Sequence, residues 1–127
     1  MISILIGVLS LGTAMRFAFV PGRAAERLGM PLLEGVGAST QLGDIGALFL
    51  DVAVLVGVAQ RPRQAGLLIA PAIMVGCVAV MRTFVFLTGH APFAAQFIVL
   101  EAVMAGLLFA AARARKDEVE DEAGAKP

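Results

Sequence analysis

Charge is scarce in this chain. Asp, Glu, Lys and Arg make up 16% of its 127 residues, against roughly 25% in an ordinary soluble domain. Cysteine occurs once, at Cys77. An internal disulfide is therefore excluded, and there is no C-x-x-C pair for metal or redox work. Histidine also occurs once, at His90. The H-E-x-x-H zinc motif and haem-type histidines are both missing, so the sequence calls for no metal and no cofactor. Basic and acidic residues number ten each, and the basic ones form no patch of the kind that binds nucleic acid. No basic segment precedes the first apolar run, and no A-x-A cleavage site follows it. That run is expected to be a retained span, not a signal peptide.

Apolar residues are abundant. They form 59% of the chain, and the mean hydropathy is +0.89. This balance excludes an ordinary soluble domain and, more firmly, a disordered chain. The length allows one compact unit. A helix needs roughly 20 apolar residues to cross the ~30 Å hydrocarbon layer, and four runs meet that requirement, at residues 2–20, 38–59, 65–88 and 93–112. Barrel strands would be about half as long and alternating. The expected fold is thus an all-α, integral membrane four-helix bundle. Residues 1–112 form the membrane domain and residues 113–127 a charged cytoplasmic tail. Residues 21–37 are too polar and too broken by Pro21 and Gly22 to span; they suit a short interfacial helix or an ordered loop. QRPRQ, residues 60–64, makes a tight connection. GHAP, residues 89–92, makes another, and His90 reads there as a turn residue. Cys77 is expected to pack inside, and Leu68 to face lipid.

Basic residues near span ends set the orientation. Arg61, Arg63, Arg113, Arg115 and Lys116 share one side with the N-terminus, while Arg23 and Arg27, offset by Glu26, lie on the other. Both termini are therefore expected on the cytoplasmic side. Small residues such as Gly7, Gly46, Gly76 and Ala105 allow the helices to approach closely.

Five ionisable residues fall inside the spans: Arg16, Asp44, Asp51, Arg82 and Glu101. Each costs roughly 2.5–3.5 kcal/mol to insert, so such groups rarely face lipid. At 1.5 Å per residue, Arg16, Asp44, Arg82 and Glu101 all lie about 6–12 Å from the outer helix ends, with Asp51 about 10 Å deeper than Asp44. A shared polar layer in the outer half of the membrane accounts for that coincidence. Gln41, Asp44, Leu48 and Asp51 recur at helical spacing and are expected to form the inward face of the second span. Val75, Ala79 and Arg82 line that of the third span, and Phe97, Glu101, Met104 and Leu108 that of the fourth. Depth alone suggests the pairs Arg82–Glu101 and Arg16–Asp44, leaving Asp51 without a partner.

Such a layer either holds the helices in register or serves a function. The leading functional expectation is a cavity for a membrane lipid or small amphiphile. Its polar wall comes from Arg16, Gln41, Asp44, Asp51, Arg82 and Glu101, with apolar contact from Phe84, Phe86, Phe97 and Met104. The alternatives are an accessory subunit of a larger membrane complex, a proton-coupled transporter acting as a homo-oligomer through Asp44 and Asp51, and an intramembrane enzyme using Asp51 or Glu101 in acid–base chemistry.

Four features together resemble the small bacterial membrane proteins of the DoxX-like superfamily. Arg16 precedes a Pro-Gly break, GVGASTQLGDIGALFL opens the second span, Arg82 falls late in the third and Glu101 early in the fourth. The resemblance covers nearly the whole chain and is generic in character. It implies a four-span inner-membrane fold and specifies no activity.

Overall fold

Backbone N–H and C=O groups find no partner in lipid and must hydrogen-bond within their own segment, and helices result. The computed structural model describes residues 1–61 and 64–124, with side chains described up to residue 117. α1 is Ile2–Phe19, α2 is Pro21–Arg27, α3 is Gly35–Ala59, α4 is Ile69–Leu87 and α5 is Ala95–Gly124. A 3-10 turn, Ala65–Leu68, leads into α4. Among the described residues there is no strand. The expected turn at 60–64 falls partly on residues 62–63, and the last part of the expected tail on 125–127, both outside the described residues.

The breaks have local causes. Proline disfavours helical geometry in the residue before it, and Val20, ahead of Pro21, takes φ −138°, ending α1. Pro21 then starts α2, where its missing N–H costs nothing. α2 stops at Gly29 (φ +73°), with Met30 N–H on Ala25 O at 3.1 Å and Gly29 N–H on Glu26 O at 2.9 Å. α4 stops in the same way at Gly89 (φ +75°), with His90 N–H on Val85 O and Gly89 N–H on Phe86 O. Glycine serves at both places because this backbone is strained for other residues. α3 begins at Gly35, three residues ahead of the apolar run, because helical hydrogen bonding continues into the interface where hydropathy drops. α5 begins at Ala95 and runs past residue 112 to Gly124. The Ala, Arg, Lys and Glu that follow are strong helix formers, so the change at residue 112 is one of polarity and leaves the backbone unbroken.

The spans pack as two antiparallel hairpins, α1 with α3 and α4 with α5, joined through α1–α5, α3–α4 and the 3-10 turn. The buried apolar core includes Ile6, Val56, Ala59, Leu68, Ala72 and Leu108. These residues gather at the end that holds both termini. Leu68 is fully buried there and does not face lipid, because the 3-10 turn folds it beneath α3 and α5. Cys77 is exposed, not packed inside; Val75 and Ala79, two residues away on either side, take the inward face of α4. Gly7 sets the spacing of the first hairpin: a Cβ there would lie 2.8 Å from Val56 Cγ1.

The outer faces are apolar. Only 11–33% of each span's most apolar window is buried within the protein, and Val8, Leu9, Ile73, Val80 and Leu107 are exposed. A soluble bundle covers such faces with charge; a lipid bilayer accepts them as they are. Four helices are long and apolar enough to cross a membrane.

Candidate functional site

The half of the bundle away from the termini is hollow. A cavity of about 240 Å³ lies between the hairpins, and every spanning helix contributes to its wall. Ser10 comes from α1, Ile45, Leu48 and Phe49 from α3, Val75, Val78 and Arg82 from α4, and Phe97, Leu100, Glu101 and Met104 from α5. Leu28 and Met30, from the connection between α2 and α3, close one side. The wall is apolar except for Ser10 and one ion pair.

That pair is Arg82–Glu101, with Arg82 Nε donating to Glu101 Oε1 at 2.8 Å. Arg82 is five residues from the end of α4 and Glu101 six from the start of α5. The short connection between these helices therefore places both groups at one depth, about 8–9 Å inside. The Arg82 guanidinium also lies over the Phe97 ring, 5.1 Å from its centroid, a favourable cation–π contact. The side chains keep 34% and 16% of their exposure. Glu101 Oε2 is buried and has no hydrogen-bond partner. A buried acceptor left unmade costs about 1–3 kcal/mol, more when charged, so this atom, closed off behind the ion pair, is the most costly polar group near the cavity.

Gln41 is buried, and its amide serves the connection. It accepts from Leu33 N–H at 2.9 Å and donates to Pro31 O at 2.9 Å. It thereby holds in place the segment that carries Leu28 and Met30. Arg16, Asp44 and Asp51 are exposed on the outer surface, and among the described residues no ion pair joins Arg16 to Asp44. The face expected to turn inward on the second span is therefore displaced. The buried or cavity-lining residues of α3 are Gln41, Ile45, Leu48, Phe49, Val52, Val56 and Ala59. At about 100° per residue, Asp44 and Asp51 lie roughly 90° to one side of that stripe. Asp44 instead borders a surface groove with Pro31, Leu33 and Thr40. The expected inward residues of α4 and α5 do face in: Val75, Ala79 and Leu108 are buried, and Arg82, Phe97, Glu101 and Met104 line the cavity. Phe97 and Met104 thus supply apolar wall, whereas Phe84 and Phe86 are exposed. His90 lies in the turn after α4, with Nδ1 2.8 Å from Thr88 Oγ1.

Arg115 plays a part that its position near a span end did not announce. Its Nη1 donates to Ala59 O at 2.8 Å and to Gln60 Oε1 at 3.0 Å, closing the C-terminal end of α3 from across the bundle. The last carbonyls of a helix attract such a cation. The partners are 56 and 55 residues apart in sequence, and no local pattern announces them.

Fold and site together define a small multi-pass membrane protein with four spanning helices. Comparison with protein-family models, with curated proteins and with solved structures gives no match.

Proposed function

We propose that this protein binds a small amphiphilic or lipid-like molecule in the cavity between its two hairpins. The observation that carries the reading is an apolar chamber, built by all four spans, with the Arg82–Glu101 pair in its wall. Sites for small ligands have this character: mostly apolar lining and a few convergent polar groups. The volume of about 240 Å³ is below the roughly 300–1,000 Å³ of sites that engulf a drug-sized ligand. A head group and the first part of a chain fit inside, and the rest of the chain lies among lipid. Arg82 and Leu100 are both partly exposed while lining the chamber, which supports an opening towards the bilayer.

The test is native mass spectrometry of the protein released from nanodiscs, comparing wild type with Leu48→Phe, which fills the chamber. The wild type is expected to retain one amphiphile and the variant none. An equal complement on both, or none on either, defeats the reading.

Several features support assignment to a bacterial inner membrane with both termini and residues 113–127 in the cytoplasm. Arg61, Arg113, Arg115 and Lys116 cluster at the end of the bundle where α1 begins, against Arg23 and Arg27 at the other. Membership of the DoxX-like superfamily rests on Arg16, the opening of α3, Arg82 and Glu101. A second reading draws on the exposed Arg16, Asp44 and Asp51. Charges on a lipid-facing surface call for a partner, which favours an accessory subunit or a homo-oligomer. Cross-linking in intact membranes tests this; a strictly monomeric product excludes it.

A further inference from the structure

We infer that what covers the exposed charges of α1 and α3 is a second copy of this chain, docked head to tail so that Arg16 of one copy pairs with Asp51 of the next, and that the copies close into a ring of three or more. The inference rests on the partner reading of those charges above and names the partner; it does not depend on the cavity. Asp51 is exposed eight residues before the end of α3, about 12 Å in, near the middle of the hydrocarbon layer. Among the described residues neither it nor Arg16 has a side-chain partner. Charges at such depth pair with one another and rarely face lipid. Their levels match. Gly7 meets Val56, and Gly46 meets Phe17, where an added Cβ would lie 3.5 Å from Phe17 Cβ. These two contacts are ten residues apart on both helices, so Gly12 is level with Asp51 and Arg16 with Ala47. Side chains lean towards the N-terminus of their helix. On these antiparallel helices Arg16 therefore leans towards the level of Asp51, and Asp51 towards that of Arg16. Gly12 and Ala47 are exposed, and such small residues let helices of two copies approach closely.

Direction decides the symmetry. At about 100° per residue, Asp51 lies on the side of α3 opposite Ala53, whose carbonyl faces Gly7. Asp44 likewise lies opposite Gly46, on the same edge as Asp51. Arg16, nine residues after Gly7, lies on the side of α1 turned away from α3. The α1–α3 hairpin thus carries a cation on one edge and two carboxylates on the other. In a two-fold dimer each edge meets itself, which sets like charges together. Head-to-tail contact sets unlike charges together. Rotation about the membrane normal then closes the ring and keeps every copy at one depth.

The experiment is disulfide cross-linking of the full chain in intact membranes, in a Cys77→Ala background because Cys77 is exposed. Leu5 and Val58 are level with each other, seven residues from Gly12 and Asp51 on the same two edges, and neither is buried. Leu5→Cys alone and Val58→Cys alone are expected to give no product, since like edges do not meet. The two together are expected to give a ladder of dimers, trimers and any larger rungs. Adding Arg16→Asp should lower the cross-linked fraction at least about tenfold, and adding Asp51→Arg as well should restore it. Efficient cross-linking by either single cysteine shows a two-fold contact and overturns the inference, while the partner reading survives. A ladder indifferent to Arg16→Asp, or one that Asp51→Arg fails to restore, overturns it too. If the two-cysteine chain cross-links only to a different protein, the inference fails and the partner reading stands. If it gives a strictly monomeric product, both fail. The three cysteine variants alone separate head-to-tail from two-fold contact, without any change of charge.

Discussion

Replacing Arg82 by Met removes the guanidinium while keeping an unbranched apolar stem, and it strands Glu101. Neither carboxylate oxygen would then have a partner, since Oε1 relies on Arg82 and Oε2 already has none. Breaking a buried pair from one side costs about 3–5 kcal/mol, and an exposed pair contributes only about 0.2–1 kcal/mol. Side-chain exposures of 34% for Arg82 and 16% for Glu101 put this pair between those limits. The expected loss is about 2 kcal/mol, or roughly thirtyfold in the folding equilibrium. Unfolding in mixed micelles, followed by circular dichroism against the mole fraction of denaturing detergent, measures it. Val80→Ala, on the same helix and 67% exposed, is the control and should lie near wild type. The double variant Arg82→Met/Glu101→Leu removes both charges and should recover most of the loss, because an apolar replacement of a buried pair is often neutral. The reasoning is refuted if Arg82→Met matches Val80→Ala, or if the double variant is less stable than either single one.

Two glycines on α1 should respond with opposite signs. Gly7→Ala drives a Cβ to 2.8 Å from Val56 Cγ1 and should cost about 1–3 kcal/mol, whereas Gly12→Ala meets nothing within 4 Å and should gain about 0.5–1 kcal/mol; thermal unfolding in detergent decides. Gln41→Leu should free the connection after α2, seen as faster hydrogen exchange at the Leu33 amide with the α4 amides unchanged. Unaltered exchange at Leu33 would show that Gln41 does not hold that segment. Arg115→Met should lower stability by about 1–2 kcal/mol through the uncapped end of α3. Arg113→Met, which among the described residues loses a contact with the Phe109 ring at 4.6 Å, should cost about 0.5 kcal/mol; equal losses in the same unfolding assay would remove the capping role.

Hydropathy and punctuation made most of the architecture legible. Pro21 and Gly89 ended helices where their backbone chemistry requires it, and four runs of spanning length became four helices. The Arg82–Glu101 pair was legible because both groups sit at one depth on helices joined by a short turn, so depth nearly fixes proximity. The same logic failed for Arg16 and Asp44. Depth says nothing about which way around its axis a helix is turned, and both groups point outward. For Asp44 and Asp51 a spacing of seven residues is compatible with a helix face, yet the apolar residues Val52 and Val56 compete for the inward side and occupy it. Gln41 and Arg115 act through main-chain atoms elsewhere in the fold, which residue type does not reveal.

The tightest packing joins neighbours along the chain, α1 to α3 and α4 to α5. Once the ribosome has delivered residue 59 to the membrane, the first pair possesses every contact it makes internally, before any of α4 exists. Assembly can then proceed by insertion of one finished half, then the other, with lateral docking as the last step. Substitutions at the Gly7–Val56 contact should act during the first stage, and substitutions around Leu68 and Leu108 only after α5 has followed.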